Sequence, residues 1–130
     1  MVSDKFFIVG LALCCFARVA SADDTGLTKQ FSICMDKSGG VTVDMLNCIS
    51  TETKLQDTRL NKAYKEVIVQ LSSSRKKQLQ DAQRAWLKYR DANCNFYADP
   101  DGGTIASVSS NDCFMSATAS RAKELEGFKE

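Results

Sequence analysis

The apolar side chains of this chain recur at helical spacing, and the clearest example surrounds its single tryptophan. Apolar or ring-bearing positions follow one another there in steps of three, four and seven: Leu79, Ala82, Trp86, Tyr89 and Phe96. Because an α-helix turns once in 3.6 residues, such steps place these side chains on one face. The pattern predicts a helix over residues 75–97 that buries this face in a core.

A second helix is predicted over residues 42–71, with Thr42 as its cap. Its apolar face carries Leu60, Tyr64, Val67 and Leu71, and polar side chains interrupt that face between residues 52 and 59. Three serines at 72–74 form the turn, and one of them caps the next helix. Such a short connection forces the two helices to lie antiparallel.

Facing residues in a regular hairpin around this turn have numbers that sum to about 146. That register places Asn61 near Trp86, and Tyr64 near Gln83. It also places Asp57 near Arg90, within the polar interruption. We therefore expect Arg90 to pair with Asp57 or Glu52.

Two shorter segments complete the predicted architecture. A first helix covers residues 27–37, directs Phe31, Cys34 and Met35 inward, and ends at the glycines 39 and 40. Residues 98–110 are predicted to form a loop. Ser109 and Asp112 then resemble a capping box that opens a last helix, which carries Cys113, Met115, Thr118, Arg121 and Leu125. We expect an all-α bundle around one long antiparallel helix hairpin, cross-linked by two disulfides.

The first 22 residues are typical of an export signal rather than of a folded element. Lys5 precedes an apolar stretch too short to span a bilayer, and Ala20-Ser21-Ala22 supplies small residues for cleavage. Removing 22 of the 130 residues leaves residues 23–130, enough for one domain. The 17 basic and 16 acidic side chains of the whole chain become 15 of each. This balance of charges disfavours nucleic-acid binding. No segment after residue 22 is apolar enough to cross a membrane, so we do not expect a membrane-embedded protein. We expect a periplasmic or secreted protein.

Four cysteines remain after such a cleavage: Cys34, Cys48, Cys94 and Cys113. An even number in a small exported domain indicates two disulfides, for which three pairings exist. Pairs 34–48 and 94–113 are favoured because each closes a short loop between neighbouring helices. Each would stabilise the domain by roughly 3 kcal/mol. A zinc site is disfavoured, since the chain has no histidine and no CxxC spacing.

The sequence offers little for catalysis. The absence of histidine removes the commonest general base, and bridged cysteines leave no thiolate. No acidic pair lies in an apolar context that would raise the pKa of one carboxyl group and leave its partner ionised, as acid–base catalysis by two carboxylates requires. Asp99 and Asp101 resemble a fragment of a calcium loop, but the further oxygen ligands are missing and a turn is favoured. We predict no enzyme, no cofactor, no metal and no small-molecule substrate.

Several polar residues have both a structural and a binding interpretation. Arg90 and Arg121 are expected to brace carboxylates or carbonyls at helix contacts. The basic side chains Lys77, Arg84 and Lys88 are either a solvated face or a contact for an acidic cleft. Asp99 and Asp101, in the predicted loop, are the other candidates for partner binding.

Taken together, these residues are similar to the LprI-type domain, a small domain of exported bacterial proteins and lipoproteins named for a mycobacterial lysozyme inhibitor. The resemblance extends over residues 34–125, and its core is the pattern AQRAW-x-x-YR-x-x-x-C. It is carried by Cys34, Cys48, Asp57, Leu60, Asn61, Tyr64, Leu71, Gln83, Arg84, Ala85, Trp86, Tyr89, Arg90, Cys94, Cys113 and Arg121. It implies a helical fold, two disulfides, export and inhibition of lysozyme.

Two functions of different class follow. The first is an exported binding protein that inhibits lysozyme, or a related wall-degrading enzyme, by blocking its cleft. The alternative is a non-catalytic interaction module of the cell envelope, or an immunity-type protein, with no lysozyme target. Either function requires a protein partner.

Overall fold

The computed structural model describes residues 26–128 as four helices. These are α1 (Lys29–Ser38), α2 (Thr42–Ile68), α3 (Ser73–Phe96) and α4 (Gly103–Glu126). No strand occurs within 26–128, and the predicted all-α class is confirmed. The predicted export signal, residues 1–22, lies outside the described residues.

Helix α1 is short and lies against the first half of α2. Thr28 caps it by accepting a hydrogen bond from the Phe31 amide at 3.1 Å. Gly39 ends it with φ of 56°, a left-handed conformation that glycine adopts without a steric penalty. The inward positions of Phe31 and Met35 are confirmed, because both pack against the cluster of Ile49, Val108 and Met115.

The three long helices run up, down and up. Residues near the starts of α2 and α4 are adjacent, with 3.5 Å between the hydroxyl oxygens of Thr42 and Thr104. Near their other ends, α2 and α4 share a second apolar cluster: Leu60, Ala63, Ala122 and Leu125. Helices α2 and α4 are therefore parallel, and α3 is antiparallel to both. The most extensive packing is between α2 and α4 rather than within the α2–α3 hairpin.

The predicted loop over 98–110 is wrong for most of its length. Helix α4 begins at Gly103, and Ser109 lies inside the helix rather than at its cap. The small and hydroxyl residues here have modest helix propensity. However, Ala106 and Val108 are both buried. Tertiary burial of these two side chains outweighs the local preference and lengthens the helix by almost two turns.

The buried face of α3 is also different from the predicted one. Ala82, Tyr89 and Phe96 are exposed, and the buried residues of α3 are Gln83, Arg90 and Cys94. Of the predicted face, Leu79 and Trp86 do pack against the core. The helix is thus rotated so that polar side chains enter the interior, where each finds a partner.

Both predicted disulfides are confirmed. Cys34 is bonded to Cys48, with 5.7 Å between their α-carbons, and Cys94 is bonded to Cys113, with 5.4 Å. The first joins α1 to the early part of α2, and the second joins the end of α3 to α4. Both cross-links therefore lie in the same half of the bundle.

Within residues 26–128, no helix combines the length and the apolar character that crossing a bilayer requires.

Candidate functional site

The family-pattern arginines form a stack around Trp86 in the interior. The guanidinium carbon of Arg90 lies 3.8 Å from the centroid of the Phe114 ring and 5.0 Å from that of Trp86. The guanidinium carbon of Arg121 lies 5.9 Å from the centroid of the Trp86 ring. Cations above aromatic faces are attracted by the ring quadrupole, most strongly where water is excluded. The stack thus joins α3 to α4.

The predicted ion pair between Arg90 and either Asp57 or Glu52 is wrong. Arg90 instead pairs with its neighbour Asp91 at 2.9 Å and donates to the Thr118 hydroxyl at 3.3 Å. Arg90 faces α4 rather than α2, because α4 fills the space between α2 and α3. A register argument based on the hairpin alone omits this third helix.

Glu52 has a different set of partners. Its carboxylate accepts hydrogen bonds from the amide and the hydroxyl of Thr28, at 2.9 and 2.6 Å, and from the Gln56 amide nitrogen at 2.7 Å. Gln56 also donates to the Gly26 carbonyl at 2.9 Å. Both side chains are only 2% exposed. The polar interruption of α2 is therefore the anchor of the segment that precedes α1.

Arg121 and Gln83 are also bonded to each other. The Nε of Arg121 donates to Oε1 of Gln83 at 3.0 Å, and Nη1 of Arg121 forms an ion pair with Glu124 at 2.7 Å. Asp57 accepts a hydrogen bond from Asn61 at 3.0 Å on the exposed side of α2. Asp57, Tyr64, Gln83 and Arg90 all line one groove between α2 and α3.

The half of the bundle that contains the disulfides ends in exposed apolar side chains. This braced end comprises residues 38–44 and 94–105. Phe96 is 83% exposed and Tyr97 48%, and their rings meet edge to face with 6.1 Å between centroids. Val41, Val43 and Ile105 are exposed at the same end. Such a group of exposed apolar side chains on a rigid support is typical of an interaction surface.

The braced end is also acidic. Residues 38–44 and 94–105 contain three aspartates, Asp44, Asp99 and Asp101, and neither lysine nor arginine. Among these, Asp99 and Asp101 lie in the turn between α3 and α4, where Oδ1 of Asp99 accepts the Asp101 amide at 2.9 Å. A hydrogen bond from a backbone amide to an aspartate side chain two residues earlier is common in turns. The two candidate residues are exposed and lie beside the aromatic pair.

The basic candidates lie on the outer face of α3, in its first two thirds. Lys77 pairs with Asp81 at 2.7 Å, and Arg84 approaches the same carboxylate at 3.7 Å. The hydrogen bond from Lys77, together with both positive charges, holds the pKa of Asp81 below its usual value. Lys88 is exposed. One of the three positive charges is thus balanced by Asp81 within α3 itself.

Phe96 and the Glu52 network are the features that sequence reasoning missed. Phe96 continues the helical spacing of Trp86, and this spacing predicts a core position for it. Its position one residue before Tyr97 and three before Asp99 was the available signal, because a helix end followed by a turn is seldom buried on all sides.

A small all-α domain held by two disulfides is typical of proteins outside the cytoplasm. The family model described as lysozyme inhibitor LprI matches residues 34–125, and the chain belongs to that family. A curated relative, an uncharacterised protein of Rhizobium meliloti (strain 1021), is 26% identical over 102 residues. That alignment covers 68% of this chain and 73% of the relative. No solved structure matches the chain.

Proposed function

We propose that this chain is an exported protein inhibitor of lysozyme, or of a related wall-degrading enzyme, and that its braced end contacts the enzyme. The observation that carries the proposal is the match of residues 34–125 to the lysozyme inhibitor LprI family. Residues 1–22 are proposed as the export signal and residues 23–130 as the inhibitory domain. The product acts in the periplasm or after secretion, and has no catalytic activity of its own.

The exposed ring pair supports the placement of the contact. Binding energy at protein interfaces is concentrated in a few large side chains, and aromatic rings are enriched among them. Phe96 is 83% exposed, on a helix that the Cys94–Cys113 disulfide fixes two residues earlier. A rigid support reduces the entropy lost on binding.

Charge supports the same placement. Enzymes that act on a negatively charged wall are steered to it by positive surface charge. An acidic end complements such a surface, and charge complementarity accelerates association. The cleft of a lysozyme works through carboxylates. We therefore place Phe96 and Tyr97 at the cleft, and Asp99 and Asp101 at its positively charged rim.

The basic face of α3, formed by Lys77, Arg84 and Lys88, is the weaker candidate for the contact. Lys77 and Arg84 already form ion pairs with the Asp81 carboxylate. An acidic cleft would have to compete with these intrahelical contacts. Replacing Lys77, Arg84 and Lys88 together by alanine is expected to leave inhibition unchanged.

A turbidity assay tests the function and the surface together. The oxidised chain of residues 23–130 is added to a suspension of bacterial cells with lysozyme, and inhibition is measured against its concentration. Phe96→Ala is expected to raise the half-inhibitory concentration at least tenfold, as for an interface hot spot. Phe128→Ala removes an equal ring, 52% exposed at the opposite end, and is the matched control.

Unchanged lysis at large molar excess of the unaltered chain would remove the proposed function. If inhibition is present but Phe96→Ala and Phe128→Ala behave alike, the function stands and its placement at the braced end is wrong.

A further inference from the structure

The charges of this chain are separated along the bundle, although their sum is close to zero. The acidic braced end lies at one extreme. The opposite extreme, where α2 ends and α3 begins, is basic, since residues 62–77 carry one carboxylate, Glu66, and five cations: Lys62, Lys65, Arg75, Lys76 and Lys77. Residues 62–77, together with Phe128 at the end of α4, are called the turn end below.

Three of these cations have no acidic partner. Lys65, Arg75 and Lys76 form no ion pair within residues 26–128. Arg75 donates instead to the neutral Oε1 of Gln78 at 2.7 Å. Lys77 differs, because its ammonium already lies 2.7 Å from Asp81. The turn end therefore offers unpaired positive charge, whereas part of the charge on the outer face of α3 is balanced.

The carboxylates at the end of α4 do not cancel this charge. Glu124 forms an ion pair with Arg121 at 2.7 Å, and Glu126 forms one with Arg59 at 2.6 Å. Each of the two carboxylates is thus balanced by an arginine that lies outside residues 62–77. The surplus of positive charge at the turn end remains available to a partner.

Apolar side chains project among these cations. Val69, in the connection between α2 and α3, is 70% exposed, and Phe128 is 52% exposed. Phe128 and the half-buried Leu71 line one groove together with Arg75, so the end of α4 lies beside the connection. The turn end thus combines exposed apolar side chains with unpaired cations.

This combination identifies the chemistry of the partner. A soluble polyanion would attract the cations but would gain nothing from Val69 or Phe128. An anionic phospholipid bilayer attracts basic side chains through its surface charge and buries neighbouring apolar side chains between its headgroups. The bilayer surface is therefore the partner that both features fit.

We propose that the turn end docks on the surface of a membrane that contains anionic phospholipids. Lys65, Arg75 and Lys76 contact the headgroups, and Val69 and Phe128 enter the interface between them. Helix α4 extends from the turn end to the braced end, about 36 Å for its 24 residues. Docking would therefore direct the braced end away from the membrane. It is independent of the proposed inhibition, because the two surfaces share no residue.

Co-sedimentation of the oxidised chain with lipid vesicles tests the proposal. Vesicles of phosphatidylcholine alone are compared with vesicles that contain equal parts of phosphatidylcholine and phosphatidylglycerol. We expect binding to the anionic vesicles to be at least about tenfold tighter, and to weaken as salt is added, because salt screens surface charge. No binding to the anionic vesicles, or equal binding to both kinds, would overturn the proposal.

Two triple variants with the same net charge locate the contact. One replaces the unpaired cations of the turn end by glutamine: Lys65→Gln, Arg75→Gln and Lys76→Gln. The control replaces three exposed lysines elsewhere: Lys37→Gln, Lys54→Gln and Lys88→Gln. Each basic side chain at an anionic surface contributes about fivefold to binding, so the first variant should bind about 100-fold more weakly. The control should lose no more than about threefold, since its charges lie farther than a Debye length from the bilayer. Equal losses would overturn the assignment to the turn end.

A valine pair separates a bilayer from other anionic partners. Val69→Ser should weaken vesicle binding about fivefold, because less apolar surface is buried in the interface. Val43→Ser, which alters a valine that is 61% exposed at the braced end, should leave it unchanged. If the two variants bind alike, and soluble polyglutamate binds the chain as tightly as vesicles do, the partner is a polyanion and the proposal is wrong.

A second copy of the chain is the remaining occupant, since an acidic end could meet a basic end. Sedimentation velocity without lipid measures this association directly. We expect a monomer at the concentrations at which the vesicles bind. A dimer that the triple variant of the turn end abolishes would assign this surface to self-association and overturn the proposal.

Discussion

Glu52 is predicted to be the polar side chain whose loss destabilises the fold most. Its carboxylate is 2% exposed and accepts three hydrogen bonds, two from Thr28 and one from Gln56. Hydrogen bonds to a charged group contribute about 1.5–3 kcal/mol each. Removal of the carboxylate also removes its own desolvation cost, which is several kcal/mol. We therefore expect Glu52→Ala to lower the free energy of unfolding by about 2–4 kcal/mol.

Urea denaturation of the oxidised chain, followed by circular dichroism, measures this loss. With a denaturant slope of about 1–3 kcal/mol per molar for a small domain, the midpoint should fall by roughly 1–2 M. The control is Asp57→Ala, which removes an exposed carboxylate of the same helix with one hydrogen bond, to Asn61. An exposed substitution of this kind should change stability by no more than about 0.5 kcal/mol.

Equal midpoints for Glu52→Ala and Asp57→Ala would refute the reasoning, because burial and three bonds would then contribute nothing. A double-mutant cycle sharpens the test. Thr28→Val should cost less in the Glu52→Ala background than in the unaltered chain, with a coupling energy of at least about 1 kcal/mol. Additive effects would show that the two side chains do not interact.

Three further predictions use the same denaturation assay. Arg90→Lys should cost about 1–2 kcal/mol, since an ammonium cannot lie flat on the Phe114 ring 3.8 Å away, and an unchanged midpoint would contradict the stack. Gly26→Ala should cost about 1–2 kcal/mol, because φ is 75° and a β-carbon would meet the guanidinium of Arg59; a stabilised variant would show that this segment does not hold its place. Burial raises the pKa of Asp112 above 3.8, so its charge destabilises the native state above that raised pKa, and the cost disappears below the unfolded value. Asp112→Asn should therefore stabilise at pH 7, by less than about 1 kcal/mol for so exposed a group, and not at about pH 3; a gain at both pH values would indicate another cause.

The local sequence was sufficient to predict the helix ends that are marked by a glycine or a serine. Gly39 ends α1 in the left-handed conformation, as glycine after a helical pattern predicts. Ser72 occupies the position before α3, although its side chain makes no capping bond. The disulfide partners also followed from local spacing, since each pair closes a short loop between consecutive helices.

The start of α4 could not be predicted from the local sequence, because tertiary contacts determine where this helix begins. Residues 103–110 are small or hydroxyl-bearing, and their sequence matches a loop. In the fold, Ala106 and Val108 are buried, at 8% exposure each, and Val108 belongs to the cluster with Ile49 and Met115. Small side chains permit the close approach of α2 and α4, so the feature that argued for a loop is the one that allows tight packing.

The partners of Arg90 were missed for a related reason. The hairpin register places Arg90 opposite Asp57, and both residues line one groove between α2 and α3. Proximity along the hairpin does not decide which side chain a guanidinium faces, however. Phe114 and Thr118 come from α4, about 25 residues later in the chain, and no pattern within the hairpin identifies them.

The two halves of this bundle are held together by different contacts. Its apolar core is divided into two clusters, one on each side of the buried polar residues. Disulfides support the half that contains the cluster with Ile49, and the exposed rings of Phe96 and Tyr97 project from that half. In the other half, contacts among Arg121, Gln83 and Trp86 join α3 to α4. Because different contacts hold the two halves, changes around Gln83 and Trp86 should leave inhibition by the braced end intact.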